Sequence, residues 1–397
     1  MTKATTQAVN INQFIASTVA NLNLDPIQLE QPASIDDLPT PALIIDLDVF
    51  EGNLEKMQSH VNQHGLGLRC HTKMHKSPII ARRQIELGAI GICCATVSEA
   101  EVMAAAGIDD ILITSPVVTD DKLKRVIALN DKIEGLQIVV DHIEGAIRLN
   151  DLAAKQDVRV LVDLDPGMGR TGVEPGEKAL LLADHIDKNC PRLQFDGLQM
   201  YIGNCMHVQG FEARKSKYEH LLQKGVETRD MIEAHGIEVN IFSGGGTGTF
   251  DMEPGLGVLT DIQAGSYAFM DVEYRDIGGQ DNDEAFTDFA PSLFVLATAI
   301  SQPQSRLITM DAGIKCLATD TSHPEFRDIE GVVYHFGGDE HGIVQLNNPS
   351  REIKLGDRLA IITPHCDPTV NLFDYYYPHR DGVVSEIWPI SARGRSQ

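Results

Sequence analysis

A basic segment near residue 70 has the residue types of a reactive amine site. RCHTKMHKSP (69–78) contains one arginine, two histidines and two lysines, and it directly follows a short apolar strand pattern. A lysine crowded by other cations has a lowered pKa, which suits it to form a Schiff base with a carbonyl compound. We therefore expect a lysine of this segment, Lys73 or Lys76, to react with a carbonyl group. A solvated basic loop without function is the alternative interpretation.

Two glycine-containing segments are candidates for binding a phosphate. FSGGGTGTF (242–250) directly follows a strand pattern, and glycines allow backbone N–H groups to close around an anion. It lacks the lysine of a Walker A loop. Farther along, QAGSYAFMD (263–271) offers Gly265, Ser266 and Tyr267 as further contacts to a phosphate or a ring. A tight turn without a ligand is the alternative interpretation.

Two more strand ends carry candidate functional groups. Arg170 lies in VDLDPGMGRTG (162–172), where it is positioned to bond a cofactor oxygen or a substrate carboxylate. The alternative is an ion pair with Asp163 or Asp165.

His207 lies at the end of MYIGNCMH (200–207), which follows a strand pattern, and it is a candidate general base. The alternative there is a helix residue without a role.

The segment TPHCDPTVN (363–371) is a candidate metal loop. His365, Cys366 and Asp367 are ligands for divalent cations, and histidine with carboxylate favours Mn²⁺, Mg²⁺ or Zn²⁺ over a structural zinc site. Because only two or three ligands are visible, a metal here would keep open positions for substrate. A polar turn without metal is the alternative interpretation.

The elements that position these segments alternate between strands and helices. About eight such units run from Ala42–Asp48 to Ile237–Gly245, which predicts a (β/α)8 TIM-type barrel. Function in such barrels lies at the carboxyl ends of the strands, here after a set of seven residues. They are Arg69, Cys94, Thr114, Asp141, Asp163, Tyr201 and Phe242.

After about residue 285 the helical period gives way to short strands separated by Gly, Pro and Asp turns. We predict a lead-in over residues 1–37, with a short helix near Gln13–Leu22, a barrel over 38–284 and an antiparallel β domain over 285–397. Residues 38–48 are an alternative first strand for the β domain.

Composition excludes several classes of protein. The chain has 397 residues, of which 43% are hydrophobic, as in a globular protein with a core. Its net charge of −24 disfavours polyanionic partners such as nucleic acid and anionic membranes. Seven cysteines without a CxxC motif fit a reducing cytoplasm, and no apolar run is long enough to span a bilayer. Within this acidic chain we expect one local exception at the barrel mouth, formed by Arg69, Lys73, Lys76 and Arg170.

Taken in order along the chain, several motifs resemble those of one family. The motifs are TPALIIDLD, HTKMHKSP, SGGGTGT, GSYAFMD, DEHG, HCDPTVN and WPISARG. They cover about Leu38 to Arg393 and resemble the D-threonine aldolase, 3-hydroxy-D-aspartate aldolase and D-serine dehydratase family, whose members are pyridoxal-phosphate enzymes with the alanine-racemase-type fold.

The resemblance implies a role for each matching residue. Lys73 corresponds to the lysine that forms the Schiff base with pyridoxal phosphate, Arg170 lies on the phenolate side of the cofactor ring, and Tyr201 lies at the ring. The phosphate segments contain Ser243, Gly244, Gly245, Gly246, Gly265 and Ser266. His365 and Asp367 correspond to divalent-metal ligands, and His207 to the base for the substrate hydroxyl. The family often has Gln where this chain has Ile202.

The function implied is an aldolase that cleaves D-threonine or 3-hydroxy-D-aspartate to glycine and an aldehyde. A dehydratase of D-serine or D-threo-3-hydroxyaspartate, giving a keto acid and ammonia, is the alternative. Asp367 favours the aldolase, because the serine dehydratase branch tends to have Cys at this ligand position. A racemase is disfavoured because it needs no metal loop. A non-catalytic protein that binds the cofactor is disfavoured because it would need the barrel alone and no β domain. By resemblance we also expect a homodimer.

Overall fold

The computed structural model describes residues 18–397. Of the short helix predicted near Gln13–Leu22, residues 13–17 lie outside this range, and residues 18–20 are helical. The strands of the described part are, in chain order, β1 (Ile27–Ser34), β2 (Ala42–Asp46), β3 (Gly67–His71), β4 (Gly91–Cys94), β5 (Asp110–Ile113), β6 (Gly135–Val140), β7 (Val158–Asp163), β8 (Leu193–Met200), β9 (Ile241–Gly244), β10 (Asp261–Ile262), β11 (Leu293–Gln304), β12 (Leu307–Met310), β13 (Glu325–Phe326), β14 (Val332–Phe336), β15 (Gly342–Leu346), β16 (Arg358–Ile362), β17 (Tyr375–Arg380) and β18 (Val383–Pro389).

The helices alternate with the barrel strands and then become scarce. In chain order they are α1 (Leu47–Gln63), α2 (Pro78–Leu87), α3 (Val97–Ala105), α4 (Asp120–Asn130), α5 (Ile143–Leu152), α6 (Glu177–Asn189), α7 (Phe211–Ala234), α8 (Glu253–Leu256), α9 (Val272–Arg275) and α10 (Cys366–Val370). None of these described helices combines the length and the apolar character needed to cross a membrane.

Strands β3 to β10 close into an eight-stranded parallel barrel, so the predicted barrel is confirmed. Its membership differs from the prediction at both ends. Ala42–Asp46, counted as the first barrel strand, pairs instead with Leu293–Leu296 of the second sheet. The eighth barrel strand is the two-residue β10, which pairs with both β9 and β3. A strand this short leaves no hydrophobic pattern to detect.

The second sheet is mostly antiparallel and combines segments from both ends of the chain. Its strand order is β1-β18-β17-β2-β11-β12-β15-β14, and β16 pairs with β11 and β13. Strand β1, which lies within the predicted lead-in, pairs with β18. The parallel neighbours β2 and β17 are the exception to the antiparallel pattern.

Contacts between the sheet and the barrel fix the mouth of the barrel. The hydroxyl of Tyr376 on β17 donates to the backbone oxygen of His75 at 2.7 Å, directly beside the basic segment. Asp271, which is fully buried, accepts from the backbone N–H of Tyr274 and from that of Cys366 at the start of α10. One carboxylate therefore caps a helix on each side of the junction and fixes the 363–371 loop against the barrel.

Candidate active site

A cavity of about 280 Å³ opens at the carboxyl ends of the barrel strands, where the fold predicts function. Its lining combines a lysine, an arginine, two aromatic rings and several small residues. Six residues predicted from the sequence line it, namely Lys73, Arg170, Tyr201, Gly246, Gly265 and Ser266.

Lys73 lies in the single 3₁₀ turn Thr72–Met74 that follows β3. Its Nζ is 2.9 Å from Oδ1 of Asp367, which comes from the second sheet domain. The lowered pKa expected for Lys73 is therefore not found. Asp367 raises the pKa of Lys73 above its ordinary value, and this effect outweighs desolvation and the nearby Arg170 guanidinium. Here Lys73 is an ammonium ion with a carboxylate partner.

The expected cluster of four cations at the barrel mouth is also corrected by the structure. Arg69 points into the barrel, where it is buried and pairs with Asp110 and Asp261. Lys76 pairs with the buried Glu99 at 2.5 Å. Of the four, Lys73 and Arg170 line the cavity. The spacing in the sequence could not show this, because Arg69 lies within β3 and not after it, and the partner of Lys76, Glu99, lies in a separate segment.

The basic segment also contains two neutral histidines. Burial, assisted by neighbouring cations, lowers the pKa of both His71 and His75 to about 3. His71 lines the cavity, accepts from the backbone N–H of Lys73 at 3.3 Å, and lies 3.3 Å from Oγ1 of Thr114. His71 therefore offers a neutral ring at the cavity wall, beside the ammonium group of Lys73.

Arg170 and Tyr201 lie together on the wall. The guanidinium of Arg170 is 5.6 Å from the ring centre of Tyr201, within cation–π range. The two carboxylates considered as partners of Arg170 are satisfied by other donors: Asp163 by Thr171 and Gln199, and Asp165 by backbone N–H groups of the turn that follows it.

Small residues form another part of the cavity wall, where a phosphate is expected. Gly246, Thr247, Gly265 and Ser266 line it. A Cβ atom at Gly265 would lie 2.9 Å from the backbone oxygen of His71, so only glycine allows this close approach of the two segments. The four residues form a recess without bulky side chains.

The remaining residues of the predicted phosphate segments lie behind this wall. Ser243 is buried and donates to Asp261 at 2.5 Å. Gly244 and Gly245 are not among the residues lining the cavity. Tyr267 packs in the core, where its hydroxyl contacts Cys70 and accepts from Gln84 at 3.1 Å. Its backbone N–H donates to Oγ1 of Thr247, which helps to fix the wall.

A buried hydrogen-bond chain lies along one side of the cavity and was missed in the sequence. The amide of Gln263 donates to Oε1 of Gln199 at 3.0 Å and to Oγ of Ser243 at 2.9 Å. The amide of Gln199 donates to Asp163 at 2.9 Å. Burial raises the pKa of Asp163 to about 6. In the sequence, the position of Asp163 at a strand end indicated that it could lie at the site. Nothing in the sequence indicated this for Gln199 or Gln263.

The 363–371 loop brings His365 and Asp367 together at the same mouth. Nε2 of His365 is 3.5 Å from Oδ2 of Asp367, and Nδ1 is 2.8 Å from Oδ2 of Asp320. Burial alone would lower the pKa of His365, but Asp367 and Asp320 outweigh it and raise the pKa to about 9. Burial would raise the pKa of Asp367, but Lys73 and His365 hold it well below its usual range.

His207 lies beside this pair and outside the cavity lining. Its ring is 4.7 Å from that of Tyr274, which does line the cavity, and its Nδ1 is 3.5 Å from Oε1 of Glu273. Burial lowers the pKa of His207 to about 4, assisted by the neighbouring His365 and Lys73. The imidazole is therefore neutral near pH 7 and able to accept a proton.

The donor set at His365 and Asp367 suits an open cation site. Within residues 18–397 no group of three or more His, Cys, Asp or Glu side chains is arranged to hold a metal ion. The two side chains nevertheless direct one nitrogen and one oxygen toward each other, and Asp320 orients the far side of the imidazole. A carboxylate behind a histidine is the usual support for a metal ligand. Glu273 and Asp320 were not singled out in the sequence.

Comparison with known families assigns the class of protein. Residues 45–272 match the alanine racemase N-terminal domain, and residues 292–378 match the putative serine dehydratase domain. The barrel with a lysine at its mouth and a mostly antiparallel sheet beside it is thus the alanine-racemase-type fold, and the predicted fold class is confirmed.

Individual relatives match over nearly the whole chain. The 3-hydroxy-D-aspartate aldolase of Paracoccus denitrificans (strain Pd 1222) is 36% identical over 365 residues, which are 90% of this chain and 93% of that protein. The D-threonine aldolase of an Arthrobacter species is 38% identical over 377 residues, which are 94% of this chain and 98% of that protein.

Solved structures agree with these matches. The crystal structure of D-threonine aldolase from Filomicrobium marinum has a TM-score of 0.88 and 36% identity, and the match covers 94% of this chain and 100% of that chain. The D-threo-3-hydroxyaspartate dehydratase from Delftia sp. HT23 has a TM-score of 0.79 and 26% identity, over 90% of this chain and 98% of that chain. This chain belongs to the family of D-threonine aldolases, 3-hydroxy-D-aspartate aldolases and D-serine dehydratases, and it is a lyase.

Proposed function

We propose that the protein cleaves D-β-hydroxy-α-amino acids, such as D-threonine or 3-hydroxy-D-aspartate, to glycine and an aldehyde, using pyridoxal phosphate and a divalent cation. The observation that carries this proposal is the contact of Lys73, which lines the cavity, with Asp367 of the sheet domain, which lies beside His365. A reactive amine from the barrel and a cation-binding pair from the sheet domain then face the same substrate.

The cavity suits pyridoxal phosphate in three respects. Lys73 supplies the amine, Arg170 and Tyr201 offer a cation and a ring for the cofactor's own ring, and the recess at Gly246 and Gly265 admits a phosphate. When bound, the cofactor supplies an aldehyde for the amine and a conjugated ring that accepts the electron pair released at the substrate's α-carbon. The same ring chemistry serves racemases and dehydratases, so the neighbouring side chains decide the reaction.

His365 and Asp367 would hold the divalent cation, with its other positions open to water and substrate. A cation there would lower the pKa of the substrate's β-hydroxyl. His207 is neutral near pH 7 and lies beside His365, so it is suited to take the hydroxyl proton while the bond between the α- and β-carbons breaks. Glu273, 3.5 Å from Nδ1 of His207, would hold the imidazole in place.

The test is the product formed from each enantiomer of threonine. The purified protein with pyridoxal phosphate and Mn²⁺ is incubated with D-threonine and with L-threonine, and glycine and acetaldehyde are quantified. We expect both products in equal amounts from D-threonine and neither from L-threonine. Lys73→Arg, which keeps the charge but forms no Schiff base, is the matched control and should give no product. Formation of 2-oxobutanoate and ammonia would instead identify a dehydratase.

A further inference from the structure

The carboxylate of Asp367 is shared between two partners. Oδ1 lies 2.9 Å from the ammonium nitrogen of Lys73, and Oδ2 lies 3.5 Å from Nε2 of His365. The side chain of Asp367 is only 17% exposed, so little water competes with these partners. An ammonium ion therefore already occupies one side of the carboxylate that is proposed to hold the divalent cation.

Both partners of this contact are fixed from behind. Lys73 follows β3 in a turn whose next residue, His75, accepts a hydrogen bond from the hydroxyl of Tyr376. Asp367 lies in the first turn of α10, whose first N–H donates to the buried Asp271. Because these contacts hold both backbones in place, the ammonium group and a divalent cation would meet at one partly buried carboxylate, where two positive charges repel each other.

We propose that Lys73 controls occupancy of the cation site: its free ammonium group competes with the divalent cation for Asp367, and joining Lys73 to the cofactor releases the carboxylate to the cation. This inference rests on the proposed function, since it assumes both the cofactor and the cation. In the joining step the aldehyde carbon forms a double bond to Nζ, and the aldehyde oxygen leaves as water with two of the three ammonium hydrogens. The nitrogen is then tied to the cofactor and has one hydrogen left to donate.

The coupling is reciprocal. If cofactor loading strengthens cation binding by a given factor, cation binding strengthens cofactor binding by the same factor. Couplings between two sites in a protein typically lie between about 5-fold and 150-fold. Since the competing group contacts the same carboxylate directly, we expect a factor of at least about 10 here.

The test measures Mn²⁺ binding, not turnover, by the electron paramagnetic resonance signal of free Mn²⁺. Four forms are titrated: cofactor-free wild type, cofactor-loaded wild type, cofactor-free Lys73→Gln and cofactor-free Lys73→Arg. We expect the loaded wild type and Lys73→Gln to bind Mn²⁺ at least about tenfold more tightly than cofactor-free wild type. Lys73→Arg keeps the competing charge and should bind as weakly as cofactor-free wild type. Asp367→Asn should abolish binding in the loaded enzyme.

The outcomes separate this inference from the proposed function. Equal Mn²⁺ affinity in cofactor-free wild type, loaded wild type and Lys73→Gln would overturn the competition while leaving the cation site standing. A rise on loading without a rise in Lys73→Gln would overturn it too, because the cofactor's own charge would then explain the effect. Absence of Mn²⁺ binding in every form would overturn both the inference and the cation part of the proposed function. Glycine formation from D-threonine tests the cleavage reaction independently of all these results.

Discussion

Glu253 is a buried carboxyl group behind the glycine-rich turn, and it gives a quantitative prediction about stability. Its side chain is almost fully buried, its Oε1 accepts from the hydroxyl of Tyr218, and a Cβ atom at Gly245 would lie 2.7 Å from that same oxygen. Burial raises the pKa of Glu253 from its ordinary 4.5 to about 8, although the hydrogen bond from Tyr218 opposes the shift. The folded protein therefore keeps Glu253 neutral near pH 7.

The magnitude follows from the difference between the folded and unfolded pKa values. Below pH 4.5 both states hold the proton, and no stability is lost. As the pH rises from 4.5 to about 8, the unfolded state ionises first, which lowers the free energy of unfolding by about 1.4 kcal/mol per pH unit. The loss reaches roughly 3 kcal/mol at pH 7 and levels off near 5 kcal/mol above pH 8. Glu253→Gln cannot ionise and escapes this loss.

The assay is urea unfolding of wild type and Glu253→Gln at pH 5, 7 and 9. Relative to wild type, the variant should gain about 2.5 kcal/mol between pH 5 and 7 and a further 1–2 kcal/mol by about pH 9. Glu227→Gln, an exposed site on α7, the helix that contains Tyr218, makes the same charge change and should stay parallel to wild type. A constant difference between Glu253→Gln and wild type across this range would refute the reasoning, because Glu253 would then be ionised in the fold.

Three further predictions concern the site. Lys73→Ala should lose the visible absorption of the cofactor-loaded protein. Lys76→Arg is the control and should keep it, because Lys76 pairs with Glu99 outside the cavity. A visible band that remains in Lys73→Ala would exclude this lysine as the Schiff-base residue. Removal of divalent cations by a chelator should abolish turnover and leave the visible band, and activity that survives chelation would count against the assignment of His365 and Asp367. His207→Gln should lower kcat by about 10²- to 10⁴-fold with little change in cofactor absorption, and an unchanged kcat would show that another group takes the proton.

The barrel could be predicted because its strands and helices carry strong periodic patterns. The predicted alternation of strands and helices is found in the barrel, for example in the helices Glu177–Asn189 and Phe211–Ala234. The sheet that a strand joins could not be predicted in the same way. Ala42–Asp46 has the same apolar pattern as a buried barrel strand, so the sequence left both sheets open for residues 38–48, and the pairing with Leu293–Leu296 assigns the strand to the second sheet. Strand β17 was missed because Pro378 interrupts its pattern.

The candidate site could be predicted at the level of segments and less well at the level of side chains. The predicted strand ends correctly indicated the loops of Lys73, Arg170 and Gly246, which do meet at one cavity. It did not show which way a side chain points, so Arg69 and Tyr267 were expected at a ligand and lie in the interior. The contact of Lys73 with Asp367 joins two domains, and no local pattern encodes such a contact. The pKa of Lys73 was therefore predicted in the wrong direction.

Cleavage of a carbon–carbon bond rather than a carbon–oxygen bond is the claim on which the proposed function depends. Quantifying all products formed from 3-hydroxy-D-aspartate by the enzyme loaded with pyridoxal phosphate and Mn²⁺ separates the two reactions. We predict glycine and glyoxylate in a one-to-one ratio, with no ammonia released. Oxaloacetate and ammonia in place of glycine would contradict this and show that the site formed by Lys73, Asp367 and the neighbouring His365 eliminates the hydroxyl group instead.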